Sequence, residues 1–88
     1  MKITTKSGFK CDVNKDIIND WRFIRSLGKC QNPDTALEGA IELETALLGK
    51  QGAIDLENHL EALDGLVKAD RLFEELTEIM SNIDKSKN

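Results

Sequence analysis

The stretch T5-KSGFKCDVNKDIINDWRFIRSLG-K29 changes its hydrophobic period partway along, and this change decides the fold. Phe9, Cys11 and Val13 alternate with polar residues, a spacing typical of a half-buried strand. Gly8 precedes them in a Lys-Ser-Gly run and can adopt a positive φ at no steric cost. We therefore predict a β-hairpin over residues 1–13.

After Val13 the apolar spacing becomes helical. Asn14 is a candidate N-cap, Asp16 suits the first turn of a helix, and Gly28 is a candidate end point. We predict a first helix between these residues. The apolar residues of its predicted core face are Ile17, Ile18, Trp21, Ile24 and Leu27.

Three further helices are predicted downstream. Asn32 caps the second, which has Pro33 at its first position and ends at Gly49. The third ends at the Asp-Gly turn 64–65, and the last covers about 68–84. Their predicted core faces are Leu37, Ala40, Ile41, Leu47 and Leu48; Ala53, Leu56, Leu60 and Leu63; and Ala69, Leu72, Phe73, Leu76, Ile79, Met80 and Ile83.

The predicted fold class is therefore mainly α, with an N-terminal hairpin followed by about four helices in a small bundle. Length and composition agree, since 88 residues with 40% hydrophobic and 32% charged content make one modest globular domain. We predict a single domain over 1–88, with a helical part over 14–84 and a frayed polar tail over 85–88.

Composition also limits the location of the chain. No apolar stretch approaches the roughly 18 residues that span a membrane, and the first residues do not resemble a secretion signal. Cys11 and Cys30 are the only cysteines. We expect reduced, structural thiols in a cytoplasmic protein.

Charge is distributed unevenly along the chain. Residues 1–30 carry seven Lys/Arg and three Asp, a net +4, whereas residues 31–88 carry five Lys/Arg and thirteen Asp/Glu, a net −8. Three interpretations remain open: solvated faces, association between copies through opposite charges, or an acidic surface that binds a partner. The candidate residues for such self-association are Arg22, Arg25 and Lys29 on the first helix, and Glu74, Glu75 and Glu78 on the last.

Arg22, Arg25 and Lys29 also share one face of the predicted first helix, as basic residues of a DNA-recognition helix do. The net charge of −4 for the whole chain disfavours nucleic acid as a partner, because binding requires neutralisation of phosphates. A solvated face is the preferred interpretation.

The sequence shows no pattern for catalysis. His59 is the only histidine, and neither a glycine-rich phosphate loop nor a GxSxG or HExxH motif is present. We therefore predict a protein that is not an enzyme and uses no cofactor or metal. His59 is expected on the surface or at the core boundary.

The last predicted helix carries an apolar stripe that is wide for a small core. It is either wholly internal or partly available to a partner. The candidate protein-binding residues are Leu72, Phe73, Leu76 and Met80. Trp21 is a further candidate, either as an anchor for a partner or as a core residue between hairpin and first helix.

Several short motifs, in this order, resemble the small tail assembly chaperones of long-tailed (siphovirus-type) bacteriophages and prophages. They are SGF at 7–9, DW at 20–21, LLGKQG at 47–52, HLEALDGLV at 59–67 and LFEELTEIM at 72–80, and together they span most of the chain. Arg22, Arg25 and Lys29 depart from the family, in which this segment is often more acidic.

This resemblance implies a non-enzymatic role in tail morphogenesis. Proteins of the family coat the tape measure protein in the host cell cytoplasm and help recruit tail tube protein around it, so a homo-oligomer is expected. Two alternatives stay open: a structural head–tail connector component of the virion, and a small DNA-binding regulator that uses the first helix.

Overall fold

The alternating residues at the start of the chain form the predicted hairpin. In the computed structural model, which describes residues 1–85, β1 (Lys2–Thr4) pairs antiparallel with β2 (Lys10–Asp12). Gly8 lies in the connection with φ 93°, as the turn requires. Ile3, Phe9 and Val13 are buried, so one face of the hairpin packs on the helices.

The first helix begins later than predicted. A 3-10 turn at Ile17–Asn19 follows the hairpin, and α1 (Trp21–Gln31) begins after Asp20. The Asp20 carboxylate accepts a hydrogen bond from the Arg22 backbone N–H at 2.8 Å and so caps the helix. Asn14, the predicted cap, instead accepts from the Asp16 N–H. Gly28 lies within α1 rather than at its end.

The later start also changes which face of α1 is buried. Trp21 and Ile24, predicted for the core, are 67% and 46% exposed. Phe23 and Ser26 are buried instead, and the Ser26 hydroxyl donates to the Phe23 carbonyl oxygen. The small side chain of Ser26 fits the close packing of α1 against the next helix.

The predicted second and third helices form one element, α2 (Ala36–Asp64), interrupted at Gly49. Gly49 has φ 77° and ψ 170°, so the backbone breaks where the sequence predicts an end. Three helices are therefore present within residues 1–85 rather than about four. The element begins after Thr35 rather than at Asn32, whose side chain accepts from the Asp34 N–H in a turn. Gly65, with φ 80°, ends α2 as predicted.

The start of α2 lies against the end of α1. A Cβ on Gly39 would approach the Cys30 backbone nitrogen to 2.6 Å, so only glycine permits this contact. Ala40, Leu43 and Leu47 face the core. Three residues predicted for the core of α2 are instead exposed: Leu37, Ile41 and Leu63.

The last helix, α3 (Ala69–Lys85), is close to its predicted bounds. Leu76, Ile79 and Ile83 are fully buried, whereas Ala69 and Phe73 are exposed. The predicted tail 85–88 falls outside the described residues except for Lys85, the last residue of α3. One core cluster receives side chains from the hairpin and from all three helices: Ile3, Phe9, Val13, Phe23, Leu43, Leu47, Leu56, Leu60, Leu76, Ile79 and Ile83.

Candidate protein-binding surfaces

A polar cluster joins the hairpin turn to α2 and α3. The Glu75 Oε1 atom accepts hydrogen bonds from the Thr5 hydroxyl at 2.7 Å and from the Ser7 hydroxyl at 2.8 Å. The His59 Nε2 atom lies 3.1 Å from both the Ser7 hydroxyl and the Ser7 carbonyl oxygen. A serine, a histidine and a glutamate therefore meet at one place, as they do in hydrolytic triads.

The hydrogen bonds of this cluster are not those of a catalytic triad, because the Glu75 carboxylate accepts from the Ser7 hydroxyl instead of orienting the histidine. A carbonyl oxygen only accepts, so the 3.1 Å contact between the His59 Nε2 atom and the Ser7 carbonyl oxygen is a hydrogen bond in the tautomer that carries its proton on Nε2. In that tautomer Nε2 has no lone pair for the Ser7 hydroxyl, which instead donates a hydrogen bond to the Glu75 carboxylate. The cluster instead holds the hairpin on the helices. The centroids of the His59 and Phe9 rings are 5.7 Å apart, and His59 is half-buried. His59 therefore lies at the core boundary, one of the two positions predicted for it.

Burial of Glu75 corrects a prediction. The proposed self-association places Glu74, Glu75 and Glu78 on one solvated face of the last helix, but only Glu74 is exposed there. Glu75 is inside the polar cluster, and a Glu78 oxygen accepts from the Lys6 backbone N–H at 2.9 Å. The three glutamates thus do not form a common surface for association between copies.

The basic residues of α1 are engaged within the chain. The Lys29 ammonium lies 2.6 Å from a Glu42 oxygen and 3.2 Å from a Glu38 oxygen, and Arg25 lies 3.5 Å from Glu42. The hydrogen bonds that Lys29 donates to Glu42 and Glu38 raise the pKa of Lys29. Arg22 pairs with Asp20 at 3.1 Å. The cations assigned to self-association or DNA binding therefore already have acidic partners.

A pair of carboxyl groups connects the two halves of α2. Glu44 is buried before the break at Gly49, and Glu57 lies after it within hydrogen-bonding reach. Burial, then the hydrogen bond and charge of Glu57, raise the pKa of Glu44 to about 7. Neither glutamate lines either of the two grooves described below.

The first candidate surface lies on α1 and the first half of α2, and we call it the α1–α2 surface. Its large exposed apolar side chains are Trp21, Ile24, Leu37 and Ile41. Of these four residues, Ile41 also lines a groove of about 340 Å3. The groove is lined by Ile17, Asp20, Arg22, Arg25, Ile41, Glu42, Thr45 and Ala46. The surface thus combines apolar side chains with a rim of paired charges.

The second candidate surface, the α3 groove, has a volume of about 950 Å3 and runs between the hairpin and the outer face of α3. It is lined by Thr4, Lys6, Asp70, Phe73, Glu74, Thr77, Glu78, Ser81, Asn82 and Lys85. Of the predicted contact residues on this helix, Phe73 is 46% exposed and lines the groove. Leu72 and Met80 are half-buried, and Leu76, at 1% exposure, belongs to the core.

Sequence reasoning misses most of the α1–α2 surface. The helical spacing of Ile24, Leu37 and Ile41 predicts that they lie in the core. Each of the two helices also has a second set of apolar residues at helical spacing, and that second set is the buried one. Trp21 is a candidate for both roles in the sequence, and its exposure removes the core interpretation. The sequence does give one indication of this surface, because α1 and the first half of α2 carry more apolar residues than one buried face requires.

Cys11 and Cys30 are free, half-buried thiols whose pKa values are raised, chiefly by burial.

Within residues 1–85, no helix combines the length and apolar character needed to cross a bilayer. Comparisons of the chain with protein-family models, with curated proteins and with solved structures find no match.

Proposed function

We propose that this chain is a tail assembly chaperone of a long-tailed phage or prophage. In this role it binds the tape measure protein in the host cytoplasm, keeps that protein's apolar helices soluble and assists assembly of the tail tube. The order of the motifs from SGF at 7–9 to LFEELTEIM at 72–80 supports the proposal. The fold supports it by exposing large apolar side chains on α1 and on the first half of α2.

The observation that carries the proposal is the exposure of the α1–α2 surface. Leu37 is 78% exposed, Trp21 67% and Ile41 59%. Single apolar residues on a surface are ordinary, but several large ones exposed on two helices that contact each other support a protein-binding site. Trp is also the residue type most enriched among energetically dominant interface contacts.

The geometry fits an apolar or amphipathic helix as the bound element. The groove is lined by the apolar side chains of Ile41 and Ala46 and by charges of both signs at Arg25 and Glu42. A helix with an apolar face binds such a groove through residues spaced three or four apart. Weak sites of this kind on many copies would cover a long helical partner without binding any segment tightly.

The alternatives have less support. DNA binding through α1 requires free cations, yet Arg25 and Lys29 bond to Glu42 and Glu38. A connector role in the virion is distinguished from the chaperone role by the presence of the chain in finished particles.

The test is co-expression with the tape measure protein of the same phage, followed by affinity capture at moderate salt. The tag belongs after the C-terminus, because the Met1 ammonium lies 3.0 Å from an Asp12 oxygen. We expect a soluble complex, with tape measure protein insoluble when expressed alone. Ile41→Lys should abolish capture, whereas Ile54→Lys, a similarly exposed isoleucine outside the α1–α2 surface, should leave it intact.

Trp21 provides an independent readout of the same event. Because this only tryptophan is mostly exposed, its emission should resemble that of free tryptophan and shift to shorter wavelength when a partner covers it. An insoluble tape measure protein beside an unbound chain would overturn the proposal. Recovery of the chain from purified virions would favour the connector alternative.

A further inference from the structure

One edge of the hairpin has free backbone groups. The Thr5 N–H donates to the Phe9 carbonyl oxygen, and β1 pairs antiparallel with β2 before it. Hydrogen-bonded and non-bonded residues alternate along an antiparallel strand, so Lys2 and Thr4 direct their N–H and C=O groups away from β2. Such an edge is a template for pairing with another strand.

This free edge of β1 faces α3. Lys6 is the next alternate residue after Lys2 and Thr4, and its N–H donates to a Glu78 oxygen of α3 at 2.9 Å. Thr4 and Lys6 also line the α3 groove, and both are exposed. The outward groups of Lys2 and Thr4 therefore open into the groove between β1 and α3.

The face of α3 next to this edge carries a defined order of charges. Four residues that line the groove share this face, at intervals of four, three and four residues: Glu74, Glu78, Ser81 and Lys85. Asn82 donates its side-chain amide N–H to the Glu78 carbonyl oxygen. The other lining residues of α3 lie farther round the helix from the hairpin: Asp70, Phe73 and Thr77. The order beside the strand edge is therefore two acids, a small hydroxyl group and a base.

The two acids of this face have no cation between them. Glu74 and Glu78 lie one helical turn apart, and like charges at this spacing repel each other. Within residues 1–85 neither forms an ion pair, although Lys6 lines the same groove. A cation from another molecule, placed between the two carboxylates, would replace this repulsion with attraction.

We propose that an extended segment of another protein binds in the α3 groove, adding a strand to the free edge of β1 and placing a basic side chain between Glu74 and Glu78. Strand addition beside an exposed sheet edge is a recurring mode of peptide recognition. The two strands within residues 1–85 are already paired with each other, so the added strand comes from a different protein. The proposal does not rest on the α1–α2 surface, and failure of either proposal leaves the other standing.

The spacing of charges on α3 defines the bound segment further. The midpoint between Glu74 and Glu78 lies about 13–14 Å along the helix from Lys85, at about 1.5 Å per residue. An extended chain covers this distance in about four residues, and residues four apart point to the same face of a strand. The complementary segment therefore has a base and an acid four residues apart, with the side chain midway between them over Ser81.

Two capped peptides, Lys-Val-Thr-Val-Glu and Glu-Val-Thr-Val-Lys, test this inference. They have the same composition and opposite charge order, so they distinguish parallel from antiparallel addition. NMR titration of the whole chain measures the Kd of each peptide. We expect one of them to shift the backbone amide signals of Lys2 and Thr4 and to slow the hydrogen exchange of these amides. If neither peptide does so at millimolar concentration, the proposal is wrong.

The backbone contribution is tested by Thr4→Pro, with Thr4→Val as its control. The Thr4 N–H points away from β2, so proline removes an edge donor and leaves the hairpin ladder intact. Thr4→Pro should raise the peptide Kd by about fivefold or more, the effect of about one hydrogen bond, and Thr4→Val should not. The same peptide with methylated backbone nitrogens should not bind. Equal Kd values for the two variants would exclude strand addition.

The charge contribution is tested by Glu74→Lys. This change should raise the peptide Kd by about threefold or more, because repulsion replaces attraction to the basic side chain. Glu61→Lys, at an exposed position of α2 that does not line the groove, changes the net charge equally and should have no effect. Equal effects of the two reversals would contradict the placement of the base. Shifts of the Lys2 and Thr4 signals with chain concentration alone would assign the edge to a second copy and overturn the proposal.

Discussion

Glu75 is a buried glutamate whose charge is satisfied by two hydroxyl groups from the hairpin. Hydrogen bonds to a charged group contribute about 1.5–3 kcal/mol each, and removal of the acceptor also leaves Thr5 and Ser7 without their partner. We expect Glu75→Ala to lower the free energy of unfolding by about 2–4 kcal/mol. Urea denaturation measures the loss.

Glu74→Ala is the matched control for this prediction. Glu74 is the preceding residue of α3 and is exposed, so its replacement should change stability by less than about 0.5 kcal/mol. Equal effects for the two variants would mean that the Thr5–Ser7–Glu75 contacts do not hold the hairpin in place.

Glu44 predicts a specific pH dependence of stability. Its pKa is about 7 in the folded chain and about 4.5 in the unfolded chain, so the folded state binds the extra proton between these values. Stability from this group is complete below about pH 4.5 and is lost as the pH rises through about 7. We expect a loss of about 1–3 kcal/mol over this interval.

Glu44→Gln should remove this dependence, because glutamine does not titrate. Unfolding by urea at about pH 5, 6, 7 and 8 gives the difference between the two proteins, in which other titrating groups cancel. The free energy of unfolding of Glu44→Gln, relative to that of the parent chain, should increase as the pH rises. A difference that stays constant across this range would exclude titration of Glu44 within it.

Neither buried glutamate can be identified from the sequence. Glutamate is rarely buried without partners, and the partners of Glu75 lie some seventy residues away in the hairpin turn. The position of His59 at the core boundary agrees with the prediction of a surface or boundary residue. That prediction was possible because His59 is the only histidine and has acidic neighbours on an amphipathic helix. Side-chain pairs from distant segments are the part that periodicity does not encode.

At the scale of elements, Gly49 fixes the break in α2. Its φ of 77° and ψ of 170° are unfavourable for any residue with a Cβ, although a Cβ there would have open space around it. Gly49→Ala should therefore lower the free energy of unfolding by about 1–3 kcal/mol through backbone strain alone. Thermal or urea unfolding measures this cost.

Gly28→Ala is the opposite case and serves as the control. Gly28 lies inside α1 and also has open space around its Cβ position. Alanine should stabilise the helix there by about 0.5–1 kcal/mol. If both glycine substitutions stabilise the chain, α2 passes through Gly49 as a regular helix.

Glycine positions and hairpin alternation predict the order of elements well. The hairpin, the break at Gly49, the end at Gly65 and the span of α3 follow from local backbone chemistry. The buried face of α1 does not follow from local backbone chemistry in the same way, because Asp20 rather than Asn14 caps the helix and a 3-10 turn precedes it. That shift exchanges Trp21 for Phe23 in the core and conceals the α1–α2 surface from sequence reasoning.

At the scale of the whole molecule, the hairpin joins the first and last segments of the chain. Phe9 and Val13 belong to the same core cluster as Ile79. The Thr5 hydroxyl bonds to Glu75. Because α3 is held by contacts distant in sequence, it should not remain folded once the hairpin is released, and unfolding should be a single cooperative transition.

Phe9→Ala tests this cooperativity. Phe9 is buried against His59 and the core, and replacing such a ring costs about 3–5 kcal/mol, a large share of the total stability of about 5–10 kcal/mol for a domain of this size. Helical circular dichroism and NMR signals of α1, α2 and α3 should all lose intensity at one lower denaturant midpoint. Separate midpoints, with α1 and α2 outlasting α3, would show instead that the α1–α2 pair folds without the hairpin.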